Sequence, residues 1–295
     1  MANLKAIRVR IASVKSTRQI TSAMKMVSAA KLRKAQDKIV RLRPYAGKLQ
    51  EILSDVTQSL ADSELTSIYG KRPVSEKVLI VLITSNKGLC GAFNSNVIKE
   101  ARRLATEKYS SFFESGNLHF LAIGKKGFDF LRKSKVKIAG EYNDLLNDLT
   151  FDNASVIAGK VMESFLAGEY DQVEIIYNQF KNAAVQKLTC ETFLPVEGAG
   201  SLVRDKRIPA DYIYEPGKER IVQELIPKSL RIQFYKAVLD SFVAEHGARM
   251  TAMHMATDNA TTMIRELTLQ YNKARQAAIT NQILEVVSGA EALKG

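Results

Sequence analysis

The sequence has no tryptophan, two cysteines and three histidines in 295 residues. Each scarcity excludes something. Cys90 and Cys190 stand 100 residues apart, with no CxxC pair and no Cys/His cluster around them. A zinc ribbon and a disulfide framework are thereby excluded, and two structural thiols in a reducing compartment are expected. His246 and His254 fall eight residues apart on one predicted helix, and His119 is remote from both, so no metal-ligand spacing exists. Long apolar runs are missing as well. The longest aliphatic run is VLIVLI, residues 78–83, far short of the ~20 residues that span a membrane. The opening MANLKAIRVRIASVK carries a charge every few positions and so lacks the apolar core of a secretory signal. Acidic residues are almost absent from the first fifty positions, which hold 13 Lys/Arg against Asp37 alone. The rest of the chain holds 30 of each sign, so the whole net charge of +12 originates in that first segment. A partner with an acidic surface is implied: nucleic acid, anionic lipid or an acidic protein.

Helix breakers are rare at both ends. From Asn3 to about Leu60 only Pro44 and Gly47 interrupt a helical pattern. Ala35, Ile39, Leu42, Ala46, Leu49, Leu53, Val56 and Leu60 follow in alternating steps of four and three. That is a heptad seam, which requires a partner helix. Pro44 predicts a kink within it. After Pro227 a second seam runs through Ile232, Tyr235, Leu239, Phe242, His246, the polar interruption Arg249, Met253, Ala256, Ala260, Met263, Leu267, Gln270, Ala274 and Ala277. The two helices would measure about 85 and 100 Å. Between them the composition changes. KVLIVLIT, LHFLAIG and QVEIIYNQF read as strands, with helices near residues 92–108, 125–134 and 151–167 and weaker strand signals at 185–195 and 211–214. Alternating strand and helix predicts a small parallel α/β domain.

The expected fold is therefore α/β: a long antiparallel coiled coil of the N- and C-terminal helices plus a Rossmann-like α/β domain. The divisions are 1–60, 75–200 and 215–295. The C-terminal helix should outrun its partner by about ten residues, roughly 15 Å, so its end, YNKARQAAITNQILEVVSGAEAL, would be a thin tip.

Candidate chemistry is sparse. The stretch TSNKGLCGAFN follows a strand and opens a helix, the place of a phosphate-cradling loop. It matches neither GxxxxGK[ST] nor GxGxxG and reads as a tight turn for close strand–helix packing. Cys90 within it has no sequence-adjacent His or acid, so no catalytic thiol is assigned. No Ser/His/Asp set, carboxylate pair or metal constellation is evident. The basic helix has no aromatic residue before Tyr45 to stack on bases, which weakens a nucleic-acid reading. MKMVSAAKLRKAQ, rich in Met and Ala, suits a core stripe or a surface that adapts to several neighbours.

ASVKSTRQITSAMKMVSAAKLRKAQ, SNKGLCGAFN and ATDNATTMIRELTLQYNKARQAAITNQILEVVSGAEAL together resemble the gamma subunit family of F-type ATP synthases, over essentially the whole chain. The resemblance implies a non-catalytic rotor shaft without a cofactor. Its tip would lie inside a ring of alpha and beta subunits, and its foot on the membrane ring of c subunits, with epsilon bound. It would sit peripherally on the cytoplasmic face of a bacterial plasma membrane and bind no nucleic acid. By motif, Met24 and Lys25 correspond to shaft residues meeting the acidic lever of beta. Arg275, Gln276 and Thr280 correspond to a hydrogen-bonding catch near the tip. Tyr214 and Glu215, in ADYIYEP, correspond to the c-ring foot. Gln282 departs from the family's frequent Glu.

Overall fold

The computed structural model describes residues 4–58, 69, 76–196 and 218–292. Helix α1 covers Leu4–Gln58 and helix α6 covers Lys218–Ala292. Between them lie β1 (Val78–Ile83), α2 (Phe93–Arg103), a π turn (Leu104–Lys108), α3 (Ser110–Glu114), β2 (Leu118–Ile123), α4 (Lys125–Lys133), β3 (Lys137–Glu141), α5 (Phe151–Leu166), β4 (Gln172–Phe180) and β5 (Gln186–Leu194). Contacts divide the chain into two units. One is Met1–Ala29 with Arg249–Gly295, and the other is Ala30–Ala248.

The larger unit is built on one sheet, in the order β3-β2-β1-β4-β5. β1 is central, parallel to both β2 and β4, and all six of its side chains are buried. That is why it reads as a continuous aliphatic run without alternation. Val78, Ile80 and Leu82 pack with Val97, Ala101 and Leu104 and with Leu118, Phe120 and Ala122 of β2. On the opposite face α6 reaches the sheet through Phe234 against Phe193 of β5, with ring centroids 5.8 Å apart. It meets α5 through Tyr235 against Phe151. Helix α5 starts where the Thr150 hydroxyl accepts from the Asn153 N–H, an N-cap with Asp152 in the first turn. It buries Ala154, Ile157, Ala158, Val161, Met162 and Phe165, a single helical stripe.

Three expectations are corrected here. The sheet is mixed, because β5 runs antiparallel to β4 as a hairpin. β3 was not anticipated: KIAGE alternates between exposed and half-buried positions at the sheet edge and has no aliphatic run to announce it. Helix α6 begins at Lys218, before Pro227, and passes through it; α1 runs through Pro44 without ending, as its seam predicts. A proline removes one backbone hydrogen bond, which helices of 75 and 55 residues absorb.

In the smaller unit, α1 and α6 lie antiparallel. Arg8 Nη2 donates to Tyr271 Oη at 2.8 Å, and the hydroxyls of Thr21 and Thr257 are hydrogen-bonded at 2.8 Å. These pairs set a register with Ile11 opposite Leu267 and Lys25 opposite Met253. Met253, Ala260 and Leu267 are buried, as their heptad spacing requires. Between them Ala256 is half-buried as expected, but the later positions differ. Met263 is 41% exposed and Gln270 and Ala277 are exposed, while Thr257, Ile264, Tyr271 and Ala278 are half-buried. Steps of three and of four both fit between residues seven apart. The apolar Met263 favoured the wrong choice, and the partner helix decides for the neighbouring row. In the second half of α1, Ala35, Ile39 and Leu49 are buried and Leu42 and Ala46 half-buried. The side chains of Leu53 and Val56, and all of Leu60, lie outside the described residues.

Candidate functional site

Met24 and Lys25 are half-buried on α1, with Lys25 on the seam itself. Arg275, Gln276 and Thr280 are exposed on α6. The antiparallel register puts Arg275 beside Leu4, so the two groups lie about 30 Å apart along the helices. They lie at two separate places on one helix pair and do not form one site. Tyr214 and Glu215 lie outside the described residues.

The rod is slender for a chemical reason. Its seam carries Thr21, Ser28, Thr257 and Ala260 where a core helix would carry large side chains. Many hydroxyls turn back onto their own helix: Thr17 to the Ser13 carbonyl, Ser28 to Met24, Thr261 to Thr257 and Thr268 to Ile264, at 2.7–3.1 Å. Such back-bonding satisfies each hydroxyl within its own helix. Beyond Ala278 none of the described residues of the smaller unit covers α6, and residues 279–292 are all exposed. Ile279, Ile283, Leu284, Val286 and Val287 stand among them, between 47% and 72% exposed. Apolar side chains along an uncovered helix end mark a surface made for a neighbour.

The loop after β1 is tied shut. The first three N–H groups of α4 are already used, Lys125 N by Asn86 Oδ1, Lys126 N by the Ser85 carbonyl and Gly127 N by Thr84 Oγ1. At the start of α2, the helix this loop opens, Phe93 N donates to the Cys90 carbonyl. Gly124, at φ 98°, makes the close crossing possible: a Cβ there would sit 2.2 Å from the Thr84 carbonyl oxygen. Asn94 accepts from Ser85 N and donates to the Ser85 hydroxyl. Cys90 is buried against Ser85 and Asn94. The arrangement is that of a packing turn. Leu89 projects as an apolar side chain, 63% exposed and at φ 63°, beside exposed Lys87, Gly91 and Ala92.

Two polar clusters escaped the reading of the sequence. Glu174 of β4, its side chain 1% exposed, accepts from Lys108, Tyr109, Gln172 and the Cys190 thiol. Burial would raise its carboxyl, but the bonds from Lys108, Tyr109 and Cys190 outweigh it and hold the group below the usual carboxylate range. A strand irregularity beside Glu174 and the π turn bearing Lys108 bring these groups together. The second cluster joins Arg43 of α1 to Asp240 of α6 and to the Phe180 carbonyl. Burial raises Asp240 above the ordinary aspartate range, and Arg43 pulls against that shift. An acid inside an apolar strand or helix stripe was the available signal in both cases. Its partners are distant in sequence, 66 residues for Lys108–Glu174 and 197 for Arg43–Asp240.

Comparison with known proteins gives one result throughout. A family model described as ATP synthase matches residues 3–293. The ATP synthase gamma chain of Flavobacterium johnsoniae is 57% identical over 295 residues, covering all of both chains. That of Geobacter metallireducens is 47% identical over the same span. Among solved structures, a chain of the Tetrahymena thermophila mitochondrial ATP synthase central stalk and c-ring is 29% identical, with a TM-score of 0.59, covering 80% of this chain and 99% of that one. A chain from the Euglena gracilis mitochondrial ATP synthase shares the fold at 22% identity and a TM-score of 0.66, covering 98% of this chain and 94% of that one.

Proposed function

The chain belongs to the ATP synthase gamma chain family, and from that premise we infer that it is the central-stalk, rotor subunit of the enzyme, itself non-catalytic. The observation that carries the inference is the match to gamma chains from end to end. The slender antiparallel helix pair with an uncovered apolar end supplies the matching geometry. Among the described residues no helix is long and apolar enough to cross a membrane, which agrees with a peripheral subunit.

The finer assignments are our reading. The working division stays 1–60, 75–200 and 215–295, with the terminal segments pairing. The exposed end of α6 turns inside a sleeve of alpha and beta subunits, where Arg275, Gln276 and Thr280 meet beta. Met24 and Lys25 meet an acidic element of beta lower on the rod. Epsilon and the c-ring bind the other end, with Tyr214 and Glu215 at the ring, on the cytoplasmic face of a bacterial plasma membrane. Each orientation of the asymmetric rod stabilises a different conformation of each catalytic subunit, which is how rotation and nucleotide chemistry are coupled through differential contact energy.

Affinity purification of the tagged chain from detergent-treated source membranes tests the reading. Recovery of alpha, beta and epsilon with ATPase activity is expected. Recovery of nucleic acid in their place would overturn it. The catch has its own test: Arg275→Ala with Gln276→Ala should lower ATP synthesis by the assembled enzyme while leaving the unfolding midpoint of the chain unchanged, because both side chains are exposed.

A further inference from the structure

We propose that Arg43 is the torque clasp of the rotor: its guanidinium joins α1 to both α6 and the sheet, so that torque passes between helix pair and α/β domain without slip. This rests on the rotor assignment above. One nitrogen, Nη2, donates to Asp240 Oδ1 and to the Phe180 carbonyl oxygen, each at 2.9 Å. All three residues belong to the larger unit. Three elements that the sequence separates widely are therefore joined at a single atom.

Stability is a poor reason for this arrangement. The Asp240 side chain is fully buried, and its Oδ2 has no hydrogen-bond partner among the described residues. The Arg43 side chain is 42% exposed, and a pair in which only the carboxylate is buried, with one oxygen orphaned, gains little over an apolar replacement of the same volume. What it supplies is direction. The ring contact of Phe234 on Phe193 is apolar and resists separation far better than sliding, since hydrophobic contact has no preferred direction. A two-acceptor hydrogen bond at fixed distance resists both.

The acceptor side is built as a strut. Phe180 ends β4, and the turn that follows is fixed by Asn182 Oδ1, which accepts from Ala184 N and Val185 N at 3.0 and 2.7 Å. Asn178, two residues before, donates to the Phe93 carbonyl at the start of α2. The same turn presses on α6 at Gly247, where a Cβ would stand 3.3 Å from the Cα and carbonyl oxygen of Ala183. Helix and hairpin thus approach closely at Gly247 and are pinned by Arg43 about two turns earlier, at Asp240.

The test uses the assembled, immobilised enzyme with a bead on the α/β domain, scoring rotation under viscous load, thermal twist fluctuation of the bead, and unloaded ATP hydrolysis. Arg43→Ala should retain unloaded hydrolysis but lose rotation under load and show wider fluctuation. Arg43→Lys should restore both, because one ammonium nitrogen can serve two acceptors as Nη2 does. The pair Arg43→Met with Asp240→Leu keeps volume and removes the buried charge, so the chain should assemble even if Arg43→Ala does not; it too should fail under load. Lys108→Ala, which breaks an ion pair touching neither α1 nor α6, should behave like the parent. Parent-like loaded rotation by the Met/Leu pair would overturn the clasp, as would equal softening by Lys108→Ala. Failure of the parent enzyme to turn the bead at all would instead overturn the rotor assignment.

Discussion

At the scale of single residues, Glu174 shows how a buried charge can be held without a metal or a ligand. Its carboxylate has four donors from three separate stretches of chain. Because its folded value lies below the ordinary 4.5, its contribution to stability is complete above that value and is lost as pH falls through the folded one. Glu174→Gln should therefore destabilise the chain at neutral pH, by about 1–3 kcal/mol, and flatten the acid side of its stability profile. The loss is moderated because Lys108 is half exposed and can turn to water. Denaturant unfolding of parent and variant over a series of pH values checks both points. The same substitution has a chemical readout. Although Cys190 as a residue is exposed, desolvation of its sulfur and the Glu174 charge push the thiol up to about 12. Removing that charge should speed alkylation of Cys190 at mildly alkaline pH, while Cys90, buried elsewhere, stays slow. None of this network was legible beforehand. QVEIIYNQF shows an acid in an apolar strand, but Lys108 and Tyr109 reach it only because a π turn replaces the last α turn of what reads as one continuous helix.

At the scale of elements, legibility followed burial geometry. β1 was plain because a strand buried on both faces must be aliphatic throughout. The terminal helices were plain because their length leaves no alternative. β3 and β5 were obscure because edge strands stay partly exposed along their length and so carry mixed sequences. The rod exposes the limit of heptad reading: positions seven apart were right, and the row between them was displaced by one residue. That displacement is open to direct test. With Cys190 replaced by Ser, Thr21→Cys with Thr257→Cys should form a disulfide on mild oxidation, since the parent hydroxyls are already 2.8 Å apart and a disulfide needs neighbouring, facing positions. Thr17→Cys with Thr257→Cys, one helical turn away on α1, should not. A non-reducing gel separates the outcomes, and crosslinking by the second pair alone would refute the register.

At the scale of the whole molecule, charge is the property that sequence displayed most openly and that the fold leaves outward. Lys31, Arg33, Lys34, Lys38 and Arg41 are exposed along α1, and Asp37 is the one acid among the first fifty residues. A cationic face of this kind does little for stability, because exposed charges are screened and gain little from one another. Its effect falls on association, where a long-range field raises the encounter rate with an oppositely charged surface and is damped over about 10 Å at 0.1 M salt. The proposed acidic element of beta is such a surface. Replacing Lys31, Arg33 and Lys34 together with Gln should slow reconstitution of the chain with alpha and beta subunits and make its rate less sensitive to salt, with dissociation nearly unchanged. Stopped-flow assembly at several ionic strengths reads all three quantities. If the triple variant instead dissociated faster at an unchanged association rate, these lysines and arginine would be making close contacts in the complex, and the basic helix would act as a binding face and not as a steering field.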